Sequence, residues 1–194
     1  MSKRLFDIAL SLFGVVVLSP LLLGVSLAII LDSGMPILYR QERIGKNGIP
    51  FQLYKFRSMK TDNAGLKITL ANDPRVTAVG RFIRKYKIDE FPQFLNILKG
   101  DMSFVGPRPE VEHYVKHYSA EQRKVLGVKP GLTGLDSLNF SNEADLLKGK
   151  TDPENYYIQH IMPVKLEYNL KYIHKKSLWF DVKVIFKTIG KILS

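Results

Sequence analysis

The sequence predicts an α+β protein: an N-terminal re-entrant membrane helix-break-helix, a small β-hairpin, several short helices and interfacial amphipathic helices. Three observations predict it. The run from Ile8 to Leu31 holds no ionisable residue, while the rest of the chain carries nearly all the charge. Two short segments flanking Gly45-Lys46-Asn47-Gly48 read as strands, and apolar residues recur at helical spacing after Val79. The balance of 29 Lys and Arg against 18 Asp and Glu gives a net charge of +11 over 194 residues. That surplus favours phosphate-rich partners such as nucleotides, nucleic acid or anionic lipid. The absence of cysteine excludes disulfide scaffolding, thiolate zinc sites and cysteine nucleophiles, so any catalysis uses oxygen or nitrogen groups.

The apolar segment is long enough to cross a bilayer core of about 30 Å. Ser19-Pro20 stands at its middle, and a proline there removes a helical hydrogen bond and predicts a break. Each arm is then roughly 18 Å long, too short to span alone. Both flanks are basic, with Lys3 and Arg4 before the segment and Arg40, Arg43, Lys46, Lys55, Arg57 and Lys60 after it. A hairpin that enters and leaves one leaflet keeps both flanks on the cytoplasmic side; a kinked spanning helix is the alternative for a run of this length. A cleaved signal peptide fits poorly, because Ser26-Leu27-Ala28 is a weak cleavage match. The expected division is residues 1–34 as the membrane hairpin and 35–194 as one cytoplasmic domain.

Beyond Gly34, Ile37 to Gln41 and Phe51 to Arg57 read as two strands, with Asn47-Gly48 as the turn. Alternation places Lys55 and Arg57 on one face, where two cations can grip an anion or simply meet solvent. From Val79 to Leu98 the helical pattern is interrupted at Pro92, which predicts two short helices. Asp89 and Glu90 lie at that break and are candidates to cap the second helix. Arg81, Arg84, Lys85 and Lys87 precede them without an intervening acid. Turn formers then surround Arg108, and the flanking Pro107 and Pro109 restrict it; a fixed guanidinium suits a phosphate.

The C-terminal third holds a turn from Gly131 to Gly134, a polar stretch from Ser141 to Lys150, and helical patterning from Glu154. From Leu178 to Leu193 a broad apolar side stands beside Lys183, Lys187 and Lys191. Such a helix lies on a bilayer surface or packs on a core. Gly149-Lys150-Thr151 is no phosphate-binding loop, because the first glycine of that pattern would fall at Ala144. His113 and His117 stand four apart without an obvious third ligand, and surface positions are the simpler account.

The run from Lys87 through Asp89-Glu90-Phe91-Pro92 to Gly106-Pro107-Arg108-Pro109 closely resembles the core signature of the bacterial sugar transferases, the monotopic phosphoglycosyl transferases. Lys55-Phe56-Arg57-Ser58-Met59, Asp73-Pro74-Arg75-Val76-Thr77 through Gly80-Arg81, and Lys129-Pro130-Gly131-Leu132-Thr133-Gly134 resemble its other blocks, so the resemblance covers almost the whole chain. It implies transfer of a phosphosugar from a UDP-sugar donor to a polyprenyl (undecaprenyl) phosphate acceptor, releasing UMP and starting a lipid-linked glycan. Asp89 would attack the sugar-bearing phosphorus and hold the phosphosugar covalently, and Glu90 would bind Mg²⁺. Lys55, Arg57, Arg75, Arg81, Arg84, Lys87, Arg108 and Pro109 are the expected substrate contacts, with the cations near Asp89 favouring its ionised form. The expected location is the cytoplasmic face of the bacterial inner membrane, with the bilayer as a partner and apolar surface compatible with a homodimer.

The sequence departs from the family pattern at Asp136-Ser137-Leu138-Asn139-Phe140-Ser141, where many members have Ala-Gln-Val-Asn-Gly-Arg. Lys87 stands where a small hydroxyl residue is common. A nucleic-acid-binding protein, which +11 also suits, is disfavoured by the membrane segment and the lack of a reading motif. A non-catalytic scaffold is disfavoured by the intact Asp89-Glu90 pair.

Overall fold

The computed structural model describes residues 2–60, 73–140 and 143–193; Met1 and Ser141 lie outside the described residues. The chain forms two compact units. Among the described residues, the first comprises 2–41, 52–60 and 73–100, and the second 42–51, 101–140 and 143–193. Both contain helices and strands, so the α+β expectation holds.

The first unit contains α1 (Lys3–Ser33), most of a hairpin made by β1 (Leu38–Ile44) and β2 (Pro50–Phe56), α2 (Ala78–Lys85) and α3 (Gln93–Lys99). Among the described residues, α1 alone is long and apolar enough to cross a membrane. The expected interruption at Ser19-Pro20 does not occur, and helical structure continues through Pro20. Proline lacks the N–H that would bond the carbonyl four residues back. Here the Ser19 hydroxyl donates to that carbonyl, of Val16, at 2.8 Å. A serine before the proline therefore repairs the hydrogen bond that the proline removes.

Burial on α1 is confined to its two arms, at Asp7 and Ser11 and then at Val25 and Ile29. Between them Leu12, Phe13, Val16, Val17 and Leu23 are exposed, Val16 by 70%. Each arm is tied to the same unit. Near the start, Arg4 donates to the carbonyls of Ile97 at 2.5 Å and Leu98 at 2.8 Å, and Gly14 lies so close to Phe94 that a Cβ would stand 2.9 Å from its ring. Towards the end, Val25 and Ile29 pack with Phe56, Ile83 and Ile88, and Asp32 accepts from the Val79 N–H at 3.2 Å, near the start of α2.

Arg57 closes the far end. Its guanidinium donates to the Ser33 carbonyl at 2.7 Å, the Met35 carbonyl at 2.8 Å, the Ser33 hydroxyl at 3.0 Å and the Gly34 carbonyl. A cation at a helix C-terminus satisfies carbonyls that have no intrahelical donor and opposes the helix dipole. Asn96 of α3, fully buried, does similar work on β2: its amide donates to the Gln52 carbonyl at 2.7 Å and accepts from the Tyr54 N–H at 3.0 Å.

The hairpin turn passes through Asn47 and Gly48, both at positive φ, as Asn-Gly predicts. β1 runs three residues past its predicted end at Gln41. The extension is held by a non-local bond, Ile44 N–H to the Glu110 carbonyl at 2.8 Å, and by burial of Ile44 in the core of the second unit.

The second unit continues with β3 (Ser103–Val105), α4 (Glu112–Val115), β4 (Gly131–Thr133), α5 (Leu135–Asn139), α6 (Glu143–Leu147), α7 (Pro153–Tyr156), α8 (Met162–Lys175) and α9 (Leu178–Leu193). β3 and β4 pair in parallel, Ser103 opposite Gly131 and Val105 opposite Thr133, where the sequence predicted only turns. Three-residue strands carry no periodic signal. Their closeness depends on glycine, because a Cβ on Gly131 would stand 2.1 Å from the Gly106 nitrogen. The core gathers Tyr114, Val115, Val125, Tyr157, Ile161, Met162 and Leu166. On α9, Asp181 and Val184 are buried while Trp179 and Phe186 are about two-thirds exposed, at 67% and 70%. This helix thus packs one side on the core and leaves an apolar strip uncovered.

Because a lysine ammonium cannot reproduce the planar fork that reaches several carbonyls, Arg57→Lys should lower stability by about 2 kcal/mol. Thermal unfolding in detergent measures the loss, and an unchanged midpoint would refute the clamp.

Candidate active site

Local backbone chemistry presents the acidic pair. α2 begins at Thr77, whose hydroxyl accepts from the Gly80 N–H at 2.9 Å, and ends at Tyr86. The chain then reverses at Lys87, which adopts the left-handed conformation with φ 56° and ψ 18°. That region is uncommon for a residue with a side chain, and strain of this kind concentrates at functional sites. A single 3₁₀ turn over Ile88–Glu90 follows, with the Glu90 N–H bonded to the Lys87 carbonyl at 3.2 Å and the Phe91 N–H to that of Ile88 at 3.1 Å. Ile88 anchors the turn in the apolar cluster beneath α1. Neither acid caps α3, contrary to the capping alternative; Pro92 holds the cap position without a side-chain bond.

Asp89 and Glu90 are both buried, at 8% and 7% exposure. Lys55 of β2 pairs with Glu90, Nζ to Oε1 at 3.1 Å. The Asp89 Oδ1 is buried without a hydrogen-bond partner. Such an atom is costly unless the site has a use for it. Burial, followed by the Glu90 charge, raises the Asp89 pKa above the ordinary aspartate range, against the opposing pull of Lys55, Lys87 and Arg84. This corrects the expectation that the neighbouring cations would set the balance: they act in the expected direction, but desolvation outweighs them.

The first unit therefore brings Lys55, Arg84, Lys87, Asp89 and Glu90 into one electrostatic neighbourhood. Other predicted contacts have local engagements. Arg57 holds the end of α1. Arg75 forms a forked pair with Asp73, Nε to Oδ1 at 2.9 Å and Nη2 to Oδ2 at 2.6 Å, and Arg81 reaches the Val76 carbonyl at 3.4 Å. The residues that fit Mg²⁺ are the two adjacent carboxylates, with their hard oxygen donors and the orphaned Asp89 oxygen. Magnesium takes one or two carboxylates and completes its shell with water and substrate phosphate.

Arg108 and Pro109 belong to the second unit. There Asp136, 1% exposed, accepts from the Arg108 N–H at 3.1 Å and the Asn169 amide at 3.2 Å through Oδ2, and from the Ser137 N–H at 2.8 Å through Oδ1. The Pro109 carbonyl accepts from Arg43 at 3.1 Å. Glu110 accepts from the Tyr157 hydroxyl at 2.5 Å, and burial together with the Glu110 charge pushes that hydroxyl's pKa up, keeping it a donor. The departure beginning at Asp136 thus supplies the support for the Arg108 turn. Sequence reasoning missed Asn96, Asp136 and Asn169; their residue types suit buried hydrogen bonding, but their partners lie far away in the chain.

The first unit thus presents a buried Asp-Glu pair on a helical turn, with three cations acting on Asp89, beside a helix long and apolar enough to cross a membrane. The chain belongs to the bacterial sugar transferase family, whose model matches residues 1–194. It is 40% identical to the UDP-glucose:undecaprenyl-phosphate glucose-1-phosphate transferase of Escherichia coli (strain K12), over 97% of this chain and 39% of that protein. It is 38% identical to the UDP-N-acetylgalactosamine-undecaprenyl-phosphate N-acetylgalactosaminephosphotransferase of Aeromonas hydrophila, over 99% of this chain and 44% of that protein. A UDP-glucose:undecaprenyl-phosphate glucose-1-phosphate transferase of Caulobacter vibrioides is 38% identical over 99% of this chain and 70% of its own length. The chain thus spans less than half the length of the first two relatives.

A carboxyl whose folded-state pKa is raised stabilises the fold below its unfolded pKa, and that contribution is lost as pH rises through the folded pKa. At neutral pH the ionised Asp89 therefore costs stability. Asp89→Asn should raise the unfolding midpoint at pH 7.5, by about 2–4 °C for each kcal/mol relieved, with the gain shrinking as pH falls through the raised pKa. A lowered midpoint at pH 7.5 would contradict the burial argument.

Proposed function

We propose that this chain transfers a phosphosugar from a UDP-sugar to undecaprenyl phosphate at the cytoplasmic face of the bacterial inner membrane, starting a lipid-linked glycan. The observation that carries the reading is the buried Asp89 carboxylate, with one oxygen lacking a hydrogen-bond partner and three cations acting on it, in a family whose relatives bear names of that reaction.

An Asp89 oxygen attacks the sugar-bearing phosphorus, and the bond from that phosphorus to the bridging oxygen breaks. UMP leaves with that oxygen and its electron pair. The phosphosugar remains on Asp89 as an acyl phosphate until an oxygen of the lipid phosphate attacks the same phosphorus, returns the carboxylate and yields the polyprenyl diphosphate sugar. Lys55, Arg84 and Lys87 favour the ionised nucleophile and reduce its repulsion from the incoming diphosphate. Arg108 is assigned to the donor phosphates by the motif it belongs to, with its backbone held by Asp136. Mg²⁺ held by Glu90 with Asp89 would supply charge neutralisation of the phosphates. Phosphoryl transfer is largely positioning and electrostatics, so a rigid turn is a suitable platform.

The contacts at the two ends of α1 support the re-entrant reading. Arg4, at the start of α1, and Asp32 and Ser33, at its end, bond to α3, α2 and Arg57. A straight crossing would separate those ends by the thickness of a bilayer, yet their partners belong to one compact body. The uncovered middle of α1, helical throughout, suits re-entrant insertion into one leaflet, with residues 35–194 cytoplasmic. The exposed strip of α9 suits the interface.

With detergent-solubilised protein, Mg²⁺ and undecaprenyl phosphate, one or more UDP-sugars should release UMP, and Asp89→Asn should abolish release. Omitting the acceptor should trap phosphosugar on Asp89, detectable by mass. Full turnover in Asp89→Asn would refute the mechanism. Cysteines placed at positions 2 and 47 should both be labelled only from the cytoplasmic side; labelling from opposite sides would establish a spanning helix.

A further inference from the structure

β2 has a second chemical face. Lys55 points to Glu90, and the preceding residue, Tyr54, projects from the opposite face of the strand, as consecutive strand residues do. There Tyr54 stands in an open cleft of about 450 Å³ lined by Leu38, Arg40, Tyr54, Leu95, Leu98 and Lys99. The Lys99 ammonium lies 4.6 Å from the Tyr54 ring centroid and 2.6 Å from its hydroxyl oxygen. The Arg40 guanidinium lies 5.7 Å from the same centroid. The cleft lining contains no carboxylate. The remaining walls are leucines, of which Leu95 is 43% exposed.

We propose that this cleft seats the phosphate headgroup of an anionic bilayer phospholipid, at a site distinct from the Asp89 centre. The chemistry is complementary in both parts. Two cations and a hydroxyl suit a phosphodiester: Lys99 donates to the Tyr54 oxygen, which leaves that hydroxyl's own proton for an acceptor. The leucine shelf suits the start of an acyl chain and has no use for a free phosphate ion. The depth is also right. Arg4, where the apolar helix α1 begins, bonds the carbonyl of Leu98, a residue of the cleft lining, at 2.8 Å; on the proposed membrane reading this end of α1 lies at the level of the lipid headgroups. Such a lipid would pin α3 and β2 to the membrane surface while leaving the other face of β2 to the acidic pair.

The test is binding, read without turnover and therefore independent of the transferase reading. Native mass spectrometry of the purified full chain is run with phosphatidylglycerol or phosphatidylcholine, for wild type and for the double variant Arg40→Gln with Lys99→Gln. Phosphatidylglycerol should bind the variant about thirtyfold more weakly, by the attraction two basic groups exert on an anionic lipid, while phosphatidylcholine, whose choline cation offsets that attraction, should lose much less. Millimolar inorganic phosphate should not displace phosphatidylglycerol. Equal phosphatidylglycerol affinity in wild type and a folded double variant would overturn the site; displacement by inorganic phosphate would overturn the lipid as its occupant. If the double variant fails to fold, Tyr54→Phe, which keeps the ring and removes the hydroxyl, carries the same comparison. UMP release in detergent should be unaffected by Arg40→Gln.

Discussion

Desolvation of the Asp89 carboxylate is the constraint around which the first unit is organised. The proposed reaction needs this carboxylate ionised, and burial opposes ionisation. The chain meets this with charge of the opposite sign from three places, Lys55 on β2, Arg84 on α2 and Lys87 in the reversal between helix and turn. The left-handed Lys87 both turns the backbone and contributes one of those charges. Complete relief would make Asp89 an ordinary surface acid with a weakly positioned oxygen. Instead, an unsatisfied oxygen and a raised pKa persist, and both cost stability.

β2 transmits that organisation to α1. Within a few residues it accepts the Asn96 amide, places Lys55 on Glu90, sets Tyr54 in the cationic cleft and, at Arg57 just beyond it, clamps the carbonyls that end α1. The apolar helix is consequently part of the architecture of the site. Its two arms carry the buried residues, and its apolar middle is uncovered. Arg57 is tied to α1 by charge-assisted hydrogen bonds that only a planar, multiply donating group can make together.

The second unit solves a comparable positioning problem without strain at a charged side chain. Glycines at 106 and 131 let two backbone segments approach closely enough for a three-residue parallel pairing. The turn that carries Arg108 leaves β3, and a buried carboxylate, Asp136, receives its N–H together with the amide of Asn169 on α8. Glu110 continues the same logic with Tyr157 and Arg43. Proline restricts this turn locally, and buried polar partners hold it from a distance.

Much of this was legible in the sequence because it is local. The apolar run of α1, the Asn-Gly hairpin, the start of α3 after Pro92, the span of α9 and the Asp89-Glu90 pair each follow from a few neighbouring residues. Hydrophobic period, turn conformation and the loss of a proline N–H are properties of the chain itself. Tertiary structure alone decided that Arg57 caps α1, that Asn96 and Asp136 are hydrogen-bonding supports, and that burial outweighs the cations at Asp89. These outcomes depend on which distant groups arrive beside a side chain and how much water they remove. Residue type prescribes what a group can donate or accept; only the folded surroundings determine which partner it finds and what its charge costs.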